Sequence, residues 1–88
     1  MIEVEKLDNQ TFRVTVEGAT STTHTVKLAP DYCQKLTRGR ASAETLVEKS
    51  FEFLLAREPN TSILRSFDLP VIGRYFPEYE SEIKGMLD

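Results

Sequence analysis

Apolar and polar residues alternate along the first third of the chain. Ile2 and Val4 alternate with glutamates, and the same period of two returns around Phe12 and again around Val26. A period of two places the apolar side chains on one face of a β-strand. The alternation therefore predicts three strands, at about residues 2–7, 11–17 and 23–29. Only short polar stretches separate them, which favours an antiparallel meander, because parallel neighbours need a crossover of roughly a dozen residues or more.

The clearest helical pattern runs from Ser42 to Glu58. Its apolar face is formed by residues three and four positions apart, namely Leu46, Val47, Ser50, Phe51, Leu54 and Leu55. Ser42 is the expected N-cap, and Pro59 is expected to end the helix. Phe53 lies beside the apolar face and widens it, so one sheet face is unable to cover it. We expect this helix to lie between the sheet and the segment from Phe67 to Tyr79.

Prolines divide the rest of the C-terminal half into short helical pieces. Pro30 fits the first turn of a helix, and Gly39 is placed to end that helix in a left-handed conformation. Pro70 and Pro77 break the later helical patterns. The predicted helices lie at about residues 30–38, 42–58, 61–66, 70–76 and 78–87. The fold class predicted from these patterns is α+β, a three-stranded antiparallel β-meander followed by a helical C-terminal half.

Composition agrees with a single folded domain over residues 1–88. Of the 88 residues, 40% are hydrophobic and 28% are charged, and 11 basic against 14 acidic residues give a net charge of -3. This charge argues against a protein that mainly coats nucleic acid. Cys33 is the only cysteine, so no intrachain disulfide can form, and no stretch has the pattern of a signal peptide or a membrane span. We expect a cytoplasmic protein that does not contact membranes.

The C-terminal half carries a pattern that resembles a known family. The pattern consists of residues 50–59 (SFEFLLAREP), 62–64 (SIL), 67–69 (FDL), 71–72 (VI) and 75–80 (YFPEYE). In this it resembles a family of short bacterial proteins of unknown function. The resemblance implies a stand-alone bacterial protein, and it supplies no activity and no site residue.

A second resemblance lies at the junction of the first two predicted helices. Residues 36–39 (LTRG) and 43–46 (AETL) resemble the strand-to-helix passage of HicB-type antitoxins. The spacing from Tyr32 to Leu36 is helical here, where the antitoxin pattern has extended chain. The proline-rich loop of those antitoxins is also absent from this sequence.

Few residues are candidates for catalysis. His24 is the only histidine, and on a threonine-rich strand it is expected to be a surface or half-buried residue of the sheet. Cys33 is expected to be a small buried hydrophobe; the alternative is a nucleophile with His24 as its base. Glu78 and Glu82 share one face of a helix while Glu80 does not, which is typical of an exposed helix start rather than of a metal site. We predict no catalytic, cofactor-binding or metal-binding residues, and no enzyme.

One local excess of basic charge is a candidate binding patch. Lys35, Arg38 and Arg40 lie close in sequence with only Asp31 to oppose them. Such a group can bind phosphate, nucleic acid or an acidic partner. The alternative is that these cations complement the C-terminus of the first helix.

Aromatic residues concentrate near the C-terminus, which suggests an interaction surface. Phe67, Tyr75, Phe76 and Tyr79 fall within a short, proline-interrupted segment, so they must be buried by folding back or by a partner. The leading prediction is a non-enzymatic protein-interaction or regulatory module that binds another protein or itself. A homodimer would use an edge or the open face of the sheet. The threonine run at residues 20–25 is either a strand edge that accepts a partner's strand or, equally, a polar hairpin that faces solvent. The second prediction is a nucleic-acid-binding or phosphate-binding protein that uses the basic patch.

Overall fold

The computed structural model describes residues 1–87 and contains both kinds of predicted element. Its strands are β1 (Ile2–Lys6), β2 (Thr11–Val16), β3 (Thr22–Lys27) and β4 (Ser66–Asp68). Its helices are α1 (Pro30–Thr37), α2 (Ala43–Leu55), α3 (Val71–Tyr75) and α4 (Tyr79–Leu87), and a short 3-10 helix covers Asn60–Ser62. The α+β fold, with a β-meander followed by helices, is confirmed.

The first three strands pair antiparallel in the order of the chain, as the sequence predicts. Val4 lies opposite Val14, and Val14 lies opposite His24. Phe12, Val14 and Val26 point to the same side of the sheet and are fully buried. The opposite face carries mainly threonines and charged side chains, which are exposed or half-buried. The period-two alternation therefore identified the core face of the meander.

The structure differs from the sequence prediction between residues 61 and 66. The helical turn there is limited to Asn60–Ser62, and the chain then extends into β4. β4 runs parallel to β3, with Phe67 opposite Val26. The predicted helix at 61–66 is therefore wrong, and the sheet has a fourth strand.

The edge of β3 explains why this segment is extended. The backbone N–H of Thr25 donates to the carbonyl of Arg65 at 2.7 Å, and the N–H of Leu69 donates to the carbonyl of Lys27 at 2.9 Å. A free strand edge offers unpaired backbone groups, and pairing with them satisfies the extended chain better than one isolated turn of helix would. The parallel orientation is allowed because α1 and α2 form the long crossover that such pairing requires.

The central helix begins where the sequence predicts and ends earlier. The Ser42 hydroxyl accepts the backbone N–H of Thr45 at 3.1 Å, which confirms the predicted N-cap. The helix ends at Leu55 rather than at Glu58. Glu58 precedes Pro59, and the proline ring disfavours helical backbone in the residue before it.

α2 lies between the sheet and the C-terminal elements, as its wide apolar face predicts. On one side, the ring of Phe51 lies 5.4 Å from that of His24 and 6.1 Å from that of Phe67. On the other side, Phe53 makes edge-on contacts with Phe76 at 5.8 Å and with Tyr79 at 5.2 Å. These distances are typical of favourable aromatic pairs. Two layers of apolar contacts therefore meet on this one helix.

The described helices are short. Among residues 1–87, no helix combines the length and the apolar character needed to cross a lipid bilayer.

Candidate functional site

An apolar cavity of about 340 Å³ opens at the C-terminal end of α2. We call it the C-terminal groove. It is bounded by the end of α2, by the chain that leads into β4, and by α3. The residues that line it are Leu54, Glu58, Ser62, Ile63, Leu64, Phe67, Val71, Ile72, Tyr75 and Phe76.

Large apolar side chains at the rim of this groove are exposed to solvent. Tyr75 is 67% exposed and Leu64 is 48% exposed, whereas Phe67, Val71 and Phe76 are half-buried. Single exposed apolar residues are common on protein surfaces, but a contiguous set around a cavity is typical of a binding site. The groove therefore presents apolar area that the rest of the described chain does not cover.

Local structure explains why Tyr75 stays outside the core. α3 is only five residues long, and its buried residue is Ile72, at 3% exposure. The backbone N–H of Phe76 makes the last helical bond, to the carbonyl of Ile72 at 2.8 Å, and the backbone of Phe76 itself is extended, so the helix ends there. Phe76 then packs edge-on against Phe53. Tyr75 is left at the rim.

One charge lies in the groove. Glu58 is its only charged lining residue, and the carboxylate has no ion-pair partner among the described residues. Glu58 is half-buried, and a carboxylate beside an apolar surface favours a ligand that brings a cationic group to it.

Three of the four aromatic residues predicted to form an interaction surface lie in the groove. These are Phe67, Tyr75 and Phe76. The prediction is wrong for Tyr79, which is fully buried under α2. Its hydroxyl lies 2.6 Å from the hydroxyl of Ser50, and burial raises the pKa of Tyr79. Tyr79 is thus a core residue that closes the interior beside the groove.

Sequence reasoning missed Leu64 and Glu58 as groove residues. Leu64 was hidden by the predicted helix at 61–66, in which it would have pointed toward the core with Ile63. In the extended chain, neighbouring side chains point to opposite sides, so Ile63 is buried and Leu64 is exposed. Glu58 gave no signal beyond its position next to Pro59.

The predicted basic patch is partly neutralised. Lys35 Nζ lies 3.3 Å from Glu80 Oε1, and the Tyr32 hydroxyl donates to Glu80 Oε2 at 2.8 Å. The bonds from Tyr32 and Lys35 lower the pKa of Glu80, so its charge opposes that of Lys35 at neutral pH. Arg38 and Arg40 are exposed in the turn after α1. α1 and α4 are therefore joined where the sequence suggested a free cationic surface.

His24 is buried, whereas the sequence predicts a surface or half-buried position. It is 1% exposed, because it points to the core face of β3 and is covered by Phe51 and the chain before β4. Its Nδ1 lies 2.8 Å from the carbonyl of Leu64 and its Nε2 lies 2.8 Å from the hydroxyl of Thr22. A carbonyl only accepts, so Nδ1 carries the hydrogen, and in a neutral ring Nε2 then accepts from Thr22.

Cys33 is half-buried on α1 and does not pair with His24. Both ring nitrogens of His24 bond to other groups, and burial raises the pKa of the Cys33 thiol. A raised pKa opposes the thiolate form that a nucleophile requires. The two residues that could have formed a catalytic pair therefore lie in separate environments.

The acidic start of α4 binds an arginine. Glu78 directly precedes α4 and Glu82 lies in its first turn, and both accept from the guanidinium of Arg57, at 3.3 Å and 2.8 Å. Within residues 1–87, no three His, Cys, Asp or Glu side chains come together as a metal site would require.

Comparison with models of protein families, with curated proteins and with solved structures found no match to this chain. The resemblances to short bacterial proteins and to HicB-type antitoxins stay predictions.

Proposed function

We propose that this protein is a non-enzymatic interaction module that binds an apolar segment of a partner protein in the C-terminal groove. The observation that carries the proposal is the exposure of Tyr75 and Leu64 at the rim of an apolar cavity. Covering such side chains contributes about 1.5 to 3 kcal/mol each. Two or three contacts of this kind sum to roughly 3 to 9 kcal/mol, and an association cost of about 4 kcal/mol or more leaves weak binding, close to millimolar, as expected of a transient regulatory contact.

The chemistry of the groove defines the partner segment. The cavity volume of about 340 Å³ suits one or two large side chains of a partner. Glu58 adds a preference for a positive charge beside them. The proposed ligand is therefore a peptide segment with an aromatic or branched aliphatic anchor next to a lysine or arginine.

Self-association through the sheet has less support than partner binding. If two copies of β1 paired antiparallel with their inward faces together, Glu3 or Glu5 would lie opposite a glutamate of the other copy. Like charges directly opposite each other are destabilising. The open face of the sheet offers mainly threonines and charged side chains. A second copy would therefore compete for the groove rather than for the sheet.

Nucleic-acid binding through the basic patch also has less support. Lys35 is paired with Glu80, and the whole chain has a net charge of -3. Phosphate-backbone affinity depends on several uncompensated cations. We propose a cytoplasmic bacterial location on the basis of composition, the single cysteine and the resemblance in the C-terminal half.

Selection from a random peptide library tests the proposed function. We expect enriched peptides to share an apolar anchor next to Lys or Arg, and to bind Tyr75→Ala at least about tenfold more weakly, the equivalent of one lost large contact. Glu58→Gln should reduce the preference for the basic residue. Met86→Ala is the matched control, because Met86 is 37% exposed on α4 and does not line the groove.

Two outcomes would count against the proposal. Either no peptide family is enriched, or the enriched peptides bind Tyr75→Ala as well as the original protein. Thermal unfolding of each variant verifies that it is folded. Light scattering over the same concentrations identifies the competing occupant, since a dimer that Tyr75→Ala dissociates would mean that a second copy fills the groove.

A further inference from the structure

A second cavity, of about 410 Å³, lies between the β2–β3 turn and the chain after α2. We call it the threonine cavity. Hydroxyl side chains are its most frequent lining residues, together with one arginine. These residues are Thr20, Ser21, Thr22, Thr23, Thr61 and Arg65.

Asn60 holds the two walls of the threonine cavity together. Its side-chain amide donates to the Thr20 carbonyl at 2.6 Å and to the Thr22 hydroxyl at 3.0 Å, and the Val16 carbonyl lies at 3.4 Å. These bonds join the β2–β3 turn to the 3-10 helix after α2. The hydroxyl groups are therefore presented by a fixed frame, which lowers the entropy lost when a ligand binds.

Buried His24 forms part of the lining of the cavity and fixes one of its hydroxyl groups. Thr22 accepts from Asn60 and bonds to His24 Nε2 at 2.8 Å, so its hydroxyl is already used within the protein. Among the described residues, no side-chain hydrogen bond uses the hydroxyls of Thr20, Ser21 or Thr61. These groups can donate into the cavity.

The charges of the residues that line the threonine cavity indicate which kind of ligand it would bind. Arg65 is exposed at the cavity, and no ion pair with it occurs in residues 1–87. None of the described lining residues is a carboxylate. Hydroxyl donors beside an arginine, with no acidic group, favour the binding of an oxyanion over the binding of a metal cation.

We propose that the threonine cavity binds a phosphate group. The Arg65 guanidinium supplies the positive charge and a planar pair of donors, and the hydroxyls of Thr20, Ser21 and Thr61 donate to the remaining oxygens. The site differs from the Lys35, Arg38 and Arg40 patch, and it goes beyond the proposed binding of a peptide in the C-terminal groove.

Titration of the isotope-labelled protein with inorganic phosphate at constant ionic strength tests this site by NMR. We expect saturable amide shifts centred on residues 20–24 and 60–65. Arg65→Gln should weaken phosphate binding by at least about tenfold. Arg65→Lys should weaken it less, because lysine keeps the positive charge but lacks the bidentate donor geometry of arginine. Arg38→Gln is the matched control, since it removes another exposed arginine, one that belongs to the predicted basic patch.

Phosphate and a small phosphate monoester form the two arms of the titration. Tighter binding of glycerol phosphate would identify an organic phosphate as the ligand, and equal binding would identify free phosphate. The proposal is overturned if Arg65→Gln binds phosphate as the original protein does, if the shifts centre on residues 35–40, or if they do not saturate. Unchanged amide spectra of the variants elsewhere verify their fold.

Discussion

At the scale of residues, the pair Ser50 and Tyr79 shows how a polar group is accommodated in the core. Ser50 lies on the apolar face of α2, and its hydroxyl donates to the Leu46 carbonyl at 2.7 Å. A serine has one hydroxyl hydrogen, so the Tyr79 hydroxyl donates to Ser50. Both side chains are fully buried, which makes this bond expensive to break.

The direction of that bond predicts unequal effects of two substitutions. Tyr79→Phe removes the donor and leaves Ser50 bonded to Leu46, so we expect a loss of about 1 kcal/mol in unfolding free energy. Ser50→Ala leaves the Tyr79 hydroxyl buried without a partner and should cost about 2 kcal/mol. Urea denaturation measures both, and the double variant should resemble Tyr79→Phe. A larger loss of unfolding free energy in Tyr79→Phe than in Ser50→Ala would mean that the hydrogen bond does not run from Tyr79 to Ser50.

The environments of Tyr79 and Tyr32 predict a loss of stability in alkali. Burial raises the pKa of Tyr79, and burial together with the bond to Glu80 raises that of Tyr32, from the ordinary value of 10.0. A raised pKa in the folded state means that the unfolded chain releases its protons first, so the contribution is complete below pH 10 and is lost above it. Urea denaturation across this range should show the decrease. In a Tyr32→Phe/Tyr79→Phe variant, the unfolding free energy should fall less steeply with pH. An equally steep fall would mean that these two tyrosines do not cause it.

Sequence spacing could place Ser50 on the core face but could not supply its partner. The distance of 29 positions between Ser50 and Tyr79 makes this a tertiary contact, which no local period encodes. For the same reason the sequence could not distinguish Tyr75 from Tyr79. Both fit a helical face, and only the fold shows that Tyr79 enters the core while Tyr75 is 67% exposed.

At the scale of elements, Arg57 links the end of α2 to the start of α4. Its guanidinium donates to Glu78, to Glu82 and to the carbonyl of Phe53, and its central carbon lies 3.6 Å from the centre of the Phe53 ring. A single exposed ion pair contributes little to stability. Four contacts from one planar group, one of them with an aromatic face, contribute more.

We therefore expect Arg57→Ala to destabilise the protein by about 1 to 2 kcal/mol. Arg13→Ala is the matched control. Arg13 makes a single exposed pair with Glu5 at 3.4 Å, and its loss should change the unfolding free energy by less than about 0.5 kcal/mol. Thermal or urea unfolding compares the two. Equal effects of the two substitutions would mean that Arg57 does not connect the helices in solution.

The elements differ in how far the sequence could predict them. β2 and α2 are specified by local periods of two and of 3.6 residues, and both were predicted within a few positions. β4 has only three residues and exists because the edge of β3 is open beside it. Residues 28–65 separate β4 from its partner strand β3, so no local sequence pattern indicates the pairing. The local pattern of the segment predicts a helix instead.

At the scale of the whole molecule, the two cavities lie on either side of the chain that enters β4. Ile63 lines both of them, Leu64 borders the C-terminal groove, and Arg65 borders the threonine cavity. Aromatic clustering predicted the first surface. The second was represented in the sequence only by the threonine run at residues 20–25, because Asn60 and Arg65 reach it through the fold.

The most direct measurement for the central proposal is the NMR shift map of the labelled protein with a peptide selected by affinity. The account predicts saturable shifts confined to the C-terminal groove, at the amides of Glu58, Leu64, Val71 and Tyr75. It also predicts their loss in Tyr75→Ala and their persistence in Met86→Ala. Shifts on the threonine face of the sheet or along β1, with the groove unchanged, would contradict it.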